Sequence, residues 1–122
     1  MGTRFTKNIA PYVRVELKQA AKAGQLGQPS AEFNHLENAH VIGQESTYWH
    51  VKVHVHMFVW AVRNRKLKEL LGQAFRITGA ATKTAFGLVP TGNTGGANVS
   101  PFKVMPVKRE YQEIIDKAKQ SN

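Results

Sequence analysis

Residues 48–63 constrain the fold of this chain more than any other segment. They run for sixteen residues without a glycine, a proline or another turn signal. Residues 51–55 alternate valine with lysine or histidine, which is the period of a β-strand. Sixteen residues are nevertheless long for a strand and ordinary for a helix. We therefore predict a helix over residues 47–64, with Ser46 as its N-cap.

Four further segments show apolar residues at helical spacing, and glycine or proline separates most of them. The predicted helices cover about residues 8–23, 31–42, 66–86 and 107–119. Ser30 is the predicted N-cap of the second helix, and Gly87 the predicted stop of the fourth. In the fourth helix we expect one apolar face to pack into the core; it comprises Leu67, Leu70, Leu71, Ala74, Ile77, Ala81 and Ala85.

These segments predict an all-α fold in which about five helices form a helical-hairpin array or bundle. A length of 122 residues suits a single domain with one core. Residues 88–105 follow no regular pattern and are rich in glycine and proline, so they predict one long loop. A loop of this length in a small protein is commonly functional.

The chain contains no cysteine, which excludes disulfides, thiolate zinc sites and thiol catalysis. Its 17 lysines and arginines against 8 acidic residues give a net charge of +9, which favours polyanions such as nucleic acid. The basic residues are spread along the chain, however, and this spread favours an ordinary solvated surface. No apolar run is long enough to span a bilayer, and we expect a cytoplasmic protein.

Three of the five histidines lie within residues 50–56. On a helix, His50 and His54 are one turn apart and share a face, which is a spacing that binds a metal ion. A tight turn before the third helix would bring His40 close to His50 and His35 level with His54. Imidazole is the commonest protein ligand for transition metals. These four histidines therefore predict a site for zinc, nickel or copper.

The ligand set depends on the secondary structure of this segment. In a strand, His50, His54 and His56 would share a face, and His54 with His56 would form the chelating pair. In a helix, His56 turns toward Trp49 and Trp60, and we expect it in the core. A further alternative is that the histidines are buried polar residues that bond to neighbouring groups and bind no metal.

The glycine-rich part of the long loop is the second candidate site. Its key residues are Asn93, Gly95, Gly96 and Asn98. Glycines allow backbone N–H groups to converge on an anion, so the loop can bind an anion or a partner. The alternative is a structural loop whose Asn and Gly residues supply turns. A third reading is that the loop covers a pocket near the histidines.

Three stretches of the sequence together resemble a family of small bacterial proteins known only as a domain of unknown function. They are HLENAHVIGQ at residues 35–44, HVKVH at 50–54 and GNTGGANVS at 92–100. The resemblance implies an all-helical cytoplasmic protein and no established activity. The positions that match are His35, His40, His50, His54, Asn93, Gly95, Gly96 and Asn98, whereas His56 is not among them. Residues 24–39 are also similar to a tetratricopeptide-repeat hairpin, without a second copy.

The function predicted first is binding of a transition-metal ion, in a sensing, storage or resistance role. The second hypothesis is a helical-hairpin module that binds a protein partner, and the third is a nucleic-acid or polyanion binder. No nucleophile motif or pair of carboxylates predicts an enzyme. Asp116, for example, is the only aspartate in the chain.

Overall fold

A computed structural model describes residues 2–85, 90–100 and 103–120 of the chain. The described residues form five α-helices and contain no strand. The helices are α1 (Thr3–Gln25), α2 (Pro29–Gly43), α3 (Thr47–Arg63), α4 (Leu67–Ala85) and α5 (Arg109–Gln120). The all-α prediction is confirmed, including the helix at residues 51–55. The predicted stop of the fourth helix at Gly87 lies outside the described residues.

The helices form two hairpins that pack side by side. Helix α1 packs against α2, and α3 packs against α4. Contacts between α2 and α3 join the two hairpins, while α5 packs on α1 and α2. This arrangement places the end of α2 beside the start of α3, where the histidines of the two helices lie.

Trp49 anchors the core at the junction of the two hairpins. Its side chain is fully buried together with Ile9, Val13 and Val53, and its indole N–H donates to the carbonyl oxygen of Thr6 at 3.0 Å. Burying an aromatic ring of this size while satisfying its polar atom is among the strongest single contributions to a small core. The first turns of α1 and α3 are thereby held together.

The turn between α2 and α3 depends on a glycine and a cap. A methyl group on Gly43 would lie 3.0 Å from Cβ of Trp49, so glycine permits the close approach of the end of α2. Ser46 caps α3 as predicted, because its side chain accepts from the N–H of Trp49. The predicted cap at Ser30 is wrong: α2 begins at Pro29, a residue favoured in the first helical turn.

Two predictions about buried residues are also wrong. Helix α4 does not bury its whole apolar face, because Leu67 and Leu71 are 66% and 62% exposed and Ala74 is exposed as well. His56 is exposed on α3 rather than packed in the core. Within the described residues, no helix combines the length and the apolar character that crossing a membrane requires.

Candidate metal centre

Three buried histidines meet at the junction of the two hairpins. His40 lies in the last turn of α2, and His50 and His54 lie one turn apart on α3. The centre of the His40 ring is 4.9 Å from that of His50 and 4.7 Å from that of His54, while His50 and His54 are 5.0 Å apart. One nitrogen from each ring lies within 4.8 Å of the others. This nearly equilateral group is called the histidine triad below.

The orientation of His40 is set by the glycine-rich loop. Its Nδ1 lies 2.6 Å from the backbone carbonyl oxygen of Asn93, and both groups are buried. A carbonyl oxygen can only accept, so Nδ1 carries the hydrogen. In the neutral ring, Nε2 then carries no hydrogen and offers a lone pair.

The orientation of His54 is set by Gln73 of α4. The Gln73 amide nitrogen donates to Glu69 Oε2 at 2.6 Å and to the carbonyl oxygen of Gly95 at 2.8 Å. These acceptors fix the amide so that its oxygen faces Nδ1 of His54, 2.5 Å away. His54 therefore also carries its hydrogen on Nδ1, and in the neutral ring its Nε2 offers a lone pair.

The Nε2 atoms of the two rings face each other. Nε2 of His40 lies 3.1 Å from Nε2 of His54 in a buried environment. Two lone pairs at this distance repel, and the pair becomes favourable only with a cation between them, either a proton or a metal ion. A carbonyl or amide oxygen on the far nitrogen of each ring is the arrangement that orients histidine ligands in metalloproteins.

The glycine-rich loop lies directly against the triad. Gly95 has a φ of +85°, and a methyl group there would lie 2.5 Å from Cδ2 of His40. The Asn93 side chain holds the loop in shape by accepting from the N–H of Gly95 and donating to the carbonyl oxygens of Ser100 and Lys103. The loop thus lies over His40, and Asn93 and Gly95 shape its turn.

The other two loop residues singled out from the sequence lie beside this turn. A methyl group on Gly96 would meet the side-chain oxygen of Asn98 at 2.6 Å, and Asn98 is exposed. The neighbouring N–H of Ala97 donates to both carboxylate oxygens of Glu69, at 3.1 and 2.9 Å. The anion that this N–H binds is therefore a side chain of α4.

His35 does not join the triad. Its Nδ1 lies 3.0 Å from Oε1 of Glu16, and the pair is partly exposed between α1 and α2. Glu45, near the triad in sequence, forms an ion pair with Lys119 instead. Burial raises the pKa of Glu37, as does the negative charge of Glu69, while a hydrogen bond with Thr94 opposes the rise.

A cavity of about 150 Å³ adjoins the triad, whose three histidines all line it. Helix α4 contributes Phe75, Arg76, Gly79 and Ala80 to the lining. Two further lining residues, Asn93 and Gly95, come from the loop. The triad therefore borders this cavity.

Gln73 and Glu69 are the site residues that sequence reasoning missed. Gln73 is fully buried, although it lies on the predicted apolar face between Leu70 and Ile77. A polar residue in such a stripe is the signal that points to a buried hydrogen-bond partner. Glu69, one turn earlier, connects Gln73 to the loop.

The fold and the triad together define a class: a small helical-hairpin protein with a buried three-histidine group beneath a loop. The chain belongs to the family described as protein of unknown function DUF3703, whose model matches residues 7–115. No curated protein and no solved structure matches the chain.

Proposed function

We propose that this protein binds one divalent transition-metal ion through His40, His50 and His54, in a sensing, storage or resistance role. The observation that carries the proposal is the approach of Nε2 of His40 to Nε2 of His54, 3.1 Å apart. Zinc–imidazole bonds of about 2.0–2.1 Å in tetrahedral geometry place two ligand nitrogens about 3.3–3.4 Å apart. The observed separation is close to that value.

The donor chemistry also supports the proposal. The triad offers three imidazoles and no thiolate, a set that suits zinc, nickel or copper. All three histidines are buried, at 2–4% exposure. The third nitrogen, within 4.8 Å of the others, reaches bonding distance by a shift on the order of 1 Å, which a small side-chain rotation supplies.

The test is metal analysis of the full chain purified without a histidine tag. We expect one equivalent of zinc, nickel or copper per chain. A bound ion would also raise the free energy of unfolding, by about 2.7 kcal/mol when the free metal is at a hundred times its dissociation constant. His54→Ala should weaken binding by more than about 100-fold, because it removes a ligand and not merely a group that orients one.

Two histidines outside the triad provide control substitutions. His35 and His56 lie outside the triad, and His56 is exposed. His35→Ala and His56→Ala should therefore bind metal as the parent does. The proposal fails if His40→Ala and His54→Ala retain the parent's affinity for each metal, or if His56→Ala loses as much as they do.

A second candidate function, a module that binds a protein partner, is favoured by one observation on α4. Leu67, Leu71 and Phe75 recur every four residues and are 66%, 62% and 75% exposed. Large apolar side chains in a continuous exposed stripe are typical of interaction surfaces. On this reading the histidines are structural and orient the loop.

Sedimentation of the full chain separates the two functions. The interaction function predicts a discrete oligomer or complex that a metal chelator leaves intact and that Leu71→Glu dissociates. Lys68→Glu, at an exposed position of the same helix, controls for added negative charge, since it changes the net charge by twice as much. A monomer at all concentrations, with no partner retained, counts against this candidate and leaves the metal proposal standing.

A further inference from the structure

The cavity beside the triad provides space for a ligand in addition to the metal ion. A tetrahedral ion held by three histidines keeps one position for a ligand from outside the chain. Among the described residues, the group able to hold a metal comprises only His40, His50 and His54. The cavity of about 150 Å³ lies against the same three residues. The space next to the expected open position is therefore large enough for more than a water molecule.

The size and the lining of the cavity indicate the kind of ligand. An apolar protein cavity of about 150 Å³ accommodates a molecule the size of benzene. Phe75, Gly79, Ala80 and Pro90 give this cavity a largely apolar lining. A small inorganic ion would leave most of that surface without contacts, whereas a compact organic body would fill it.

Arg76 places a positive charge on the wall of the cavity. Two of its nitrogens are used within the protein, since Nη2 donates to the Val99 carbonyl oxygen at 2.7 Å and Nη1 to that of Gly72 at 3.4 Å. Its Nε is buried and has no hydrogen-bond partner in the part of the chain that the structure describes. A buried donor on a charged group is costly when it is left unsatisfied.

The acid that interacts with Arg76 does not satisfy this donor. Glu69 interacts electrostatically with Arg76, but its carboxylate hydrogen-bonds to Ala97 and Gln73. Burial lowers the pKa of the Arg76 guanidinium, as expected for a cation removed from water. An anion in the cavity that Arg76 lines would lie beside this buried charge and offset it.

We propose that the metal-loaded triad binds a small carboxylate with an apolar body, no larger than benzoate, whose carboxylate is shared by the metal and Arg76. This inference rests on the proposed function, because the metal supplies one of the two contacts to the carboxylate. The apolar body fills the cavity beside Phe75 and Ala80. The site is thus a ternary one, in which the metal makes the cavity selective for anions.

The test uses the full chain loaded with Co²⁺, whose visible absorption reports a change of coordination. We expect acetate, propionate and benzoate to change the spectrum saturably, with benzoate the tightest because it buries the most apolar surface. Chloride at the same ionic strength controls for nonspecific anion effects. Calorimetry on the same sample gives the affinity independently.

Two substitutions locate the ligand. Arg76→Gln should weaken benzoate binding by at least about tenfold, the effect of losing a charge-assisted hydrogen bond. Gly79→Leu should abolish benzoate binding, because Gly79 lines the cavity and the Cβ of the new side chain would meet no heavy atom within 4 Å. Both variants should bind Co²⁺ as the parent does. Ala74→Leu, at an exposed position of α4, is the control for added bulk.

The outcomes distinguish this inference from the proposed function. Failure to bind Co²⁺, or any other metal, overturns both. Normal Co²⁺ binding with a spectrum and a heat signal indifferent to carboxylates overturns the inference alone. The inference also fails if carboxylates bind but Gly79→Leu and Arg76→Gln bind them as tightly as the parent, since the ligand then lies elsewhere.

Discussion

Nε2 of His40 and Nε2 of His54 face each other across 3.1 Å, and the far nitrogen of each ring is held by an oxygen atom. In this arrangement both rings, when neutral, direct a lone pair into the same space. Two acceptors placed in this way can share one cation. The hydrogen bonds to Asn93 and Gln73 produce this arrangement and are as open to testing as the histidines themselves.

Gln73→Met tests the bond that orients His54. The side chains are similar in size, but the thioether cannot replace an amide that accepts from His54 and donates to Glu69 and Gly95. We expect metal affinity to fall by about 10–100-fold, as it does when comparable orienting groups are removed. Gln19→Met, at an exposed position of α1, should change nothing. Isothermal titration with zinc measures both, and equal affinities in the two variants would contradict the role given to Gln73.

Gly95→Ala and Gly79→Ala should have opposite effects on stability. At Gly95 a methyl group would meet the His40 ring, and the φ is positive. We therefore expect Gly95→Ala to lower the free energy of unfolding by about 1–3 kcal/mol. At Gly79, within α4, a methyl group meets nothing within 4 Å, and the higher helix propensity of alanine should add up to about 1 kcal/mol. Urea unfolding followed by circular dichroism measures both values. A stability gain in Gly95→Ala would show that the loop does not lie against His40.

Ser46→Ala and Ser30→Ala compare a serine that caps a helix with one that does not. Ser46 accepts from the N–H of Trp49 and is within 2.7 Å of the Thr6 hydroxyl, whereas Ser30 is exposed inside α2. We expect Ser46→Ala to lower the free energy of unfolding by about 1–2 kcal/mol. Ser30→Ala should leave it within about 0.5 kcal/mol of the parent. Thermal unfolding of the two variants measures this difference, and equal midpoints would refute the assignment of Ser46 as the N-cap of α3.

Glu37→Gln should make stability less dependent on pH. The native state raises the pKa of Glu37 above its ordinary value of 4.5, mainly through burial. The folded protein therefore holds this proton more tightly than the unfolded chain and loses stability as the pH rises above about 4.5. We expect the variant to be more stable than the parent at neutral pH, with the gain vanishing below that pH.

The control for this titration is Glu110→Gln. Glu110 is exposed in the first turn of α5, where a negative charge favours the helix. Its replacement should give no gain at neutral pH. Denaturation midpoints between acidic and neutral pH provide the comparison, and parallel profiles for Glu37→Gln and the parent would contradict the prediction.

The helical fold could be predicted from the sequence, because the length of residues 48–63 favours a helix more strongly than their alternating pattern favours a strand. The alternating valines favour a strand, but sixteen residues without a turn signal are longer than a typical strand. Once α3 is a helix, His50 and His54 must share a face. Of the four candidate ligands, the structure groups these two with His40 and not with His35.

Helix geometry accounts for the position of His35. It lies five positions before His40, which on a helix corresponds to a rotation of about 140°. The two side chains therefore leave α2 in different directions, and only His40 faces α3. The contribution of Gln73 and Asn93 could not be predicted in the same way, because it depends on the packing of α4 and the loop around residues distant in sequence.

The hydrogen bond between His40 and Asn93 spans 53 positions of the chain. During synthesis, α1, α2 and α3 are complete long before Asn93 is added, so the earlier segments can pair while His40 is still without its carbonyl partner. The contact that orients His40 consequently cannot form until the loop has been made. A ribosome-bound chain that ends before the loop would contain all three histidines and yet lack the contact that directs His40.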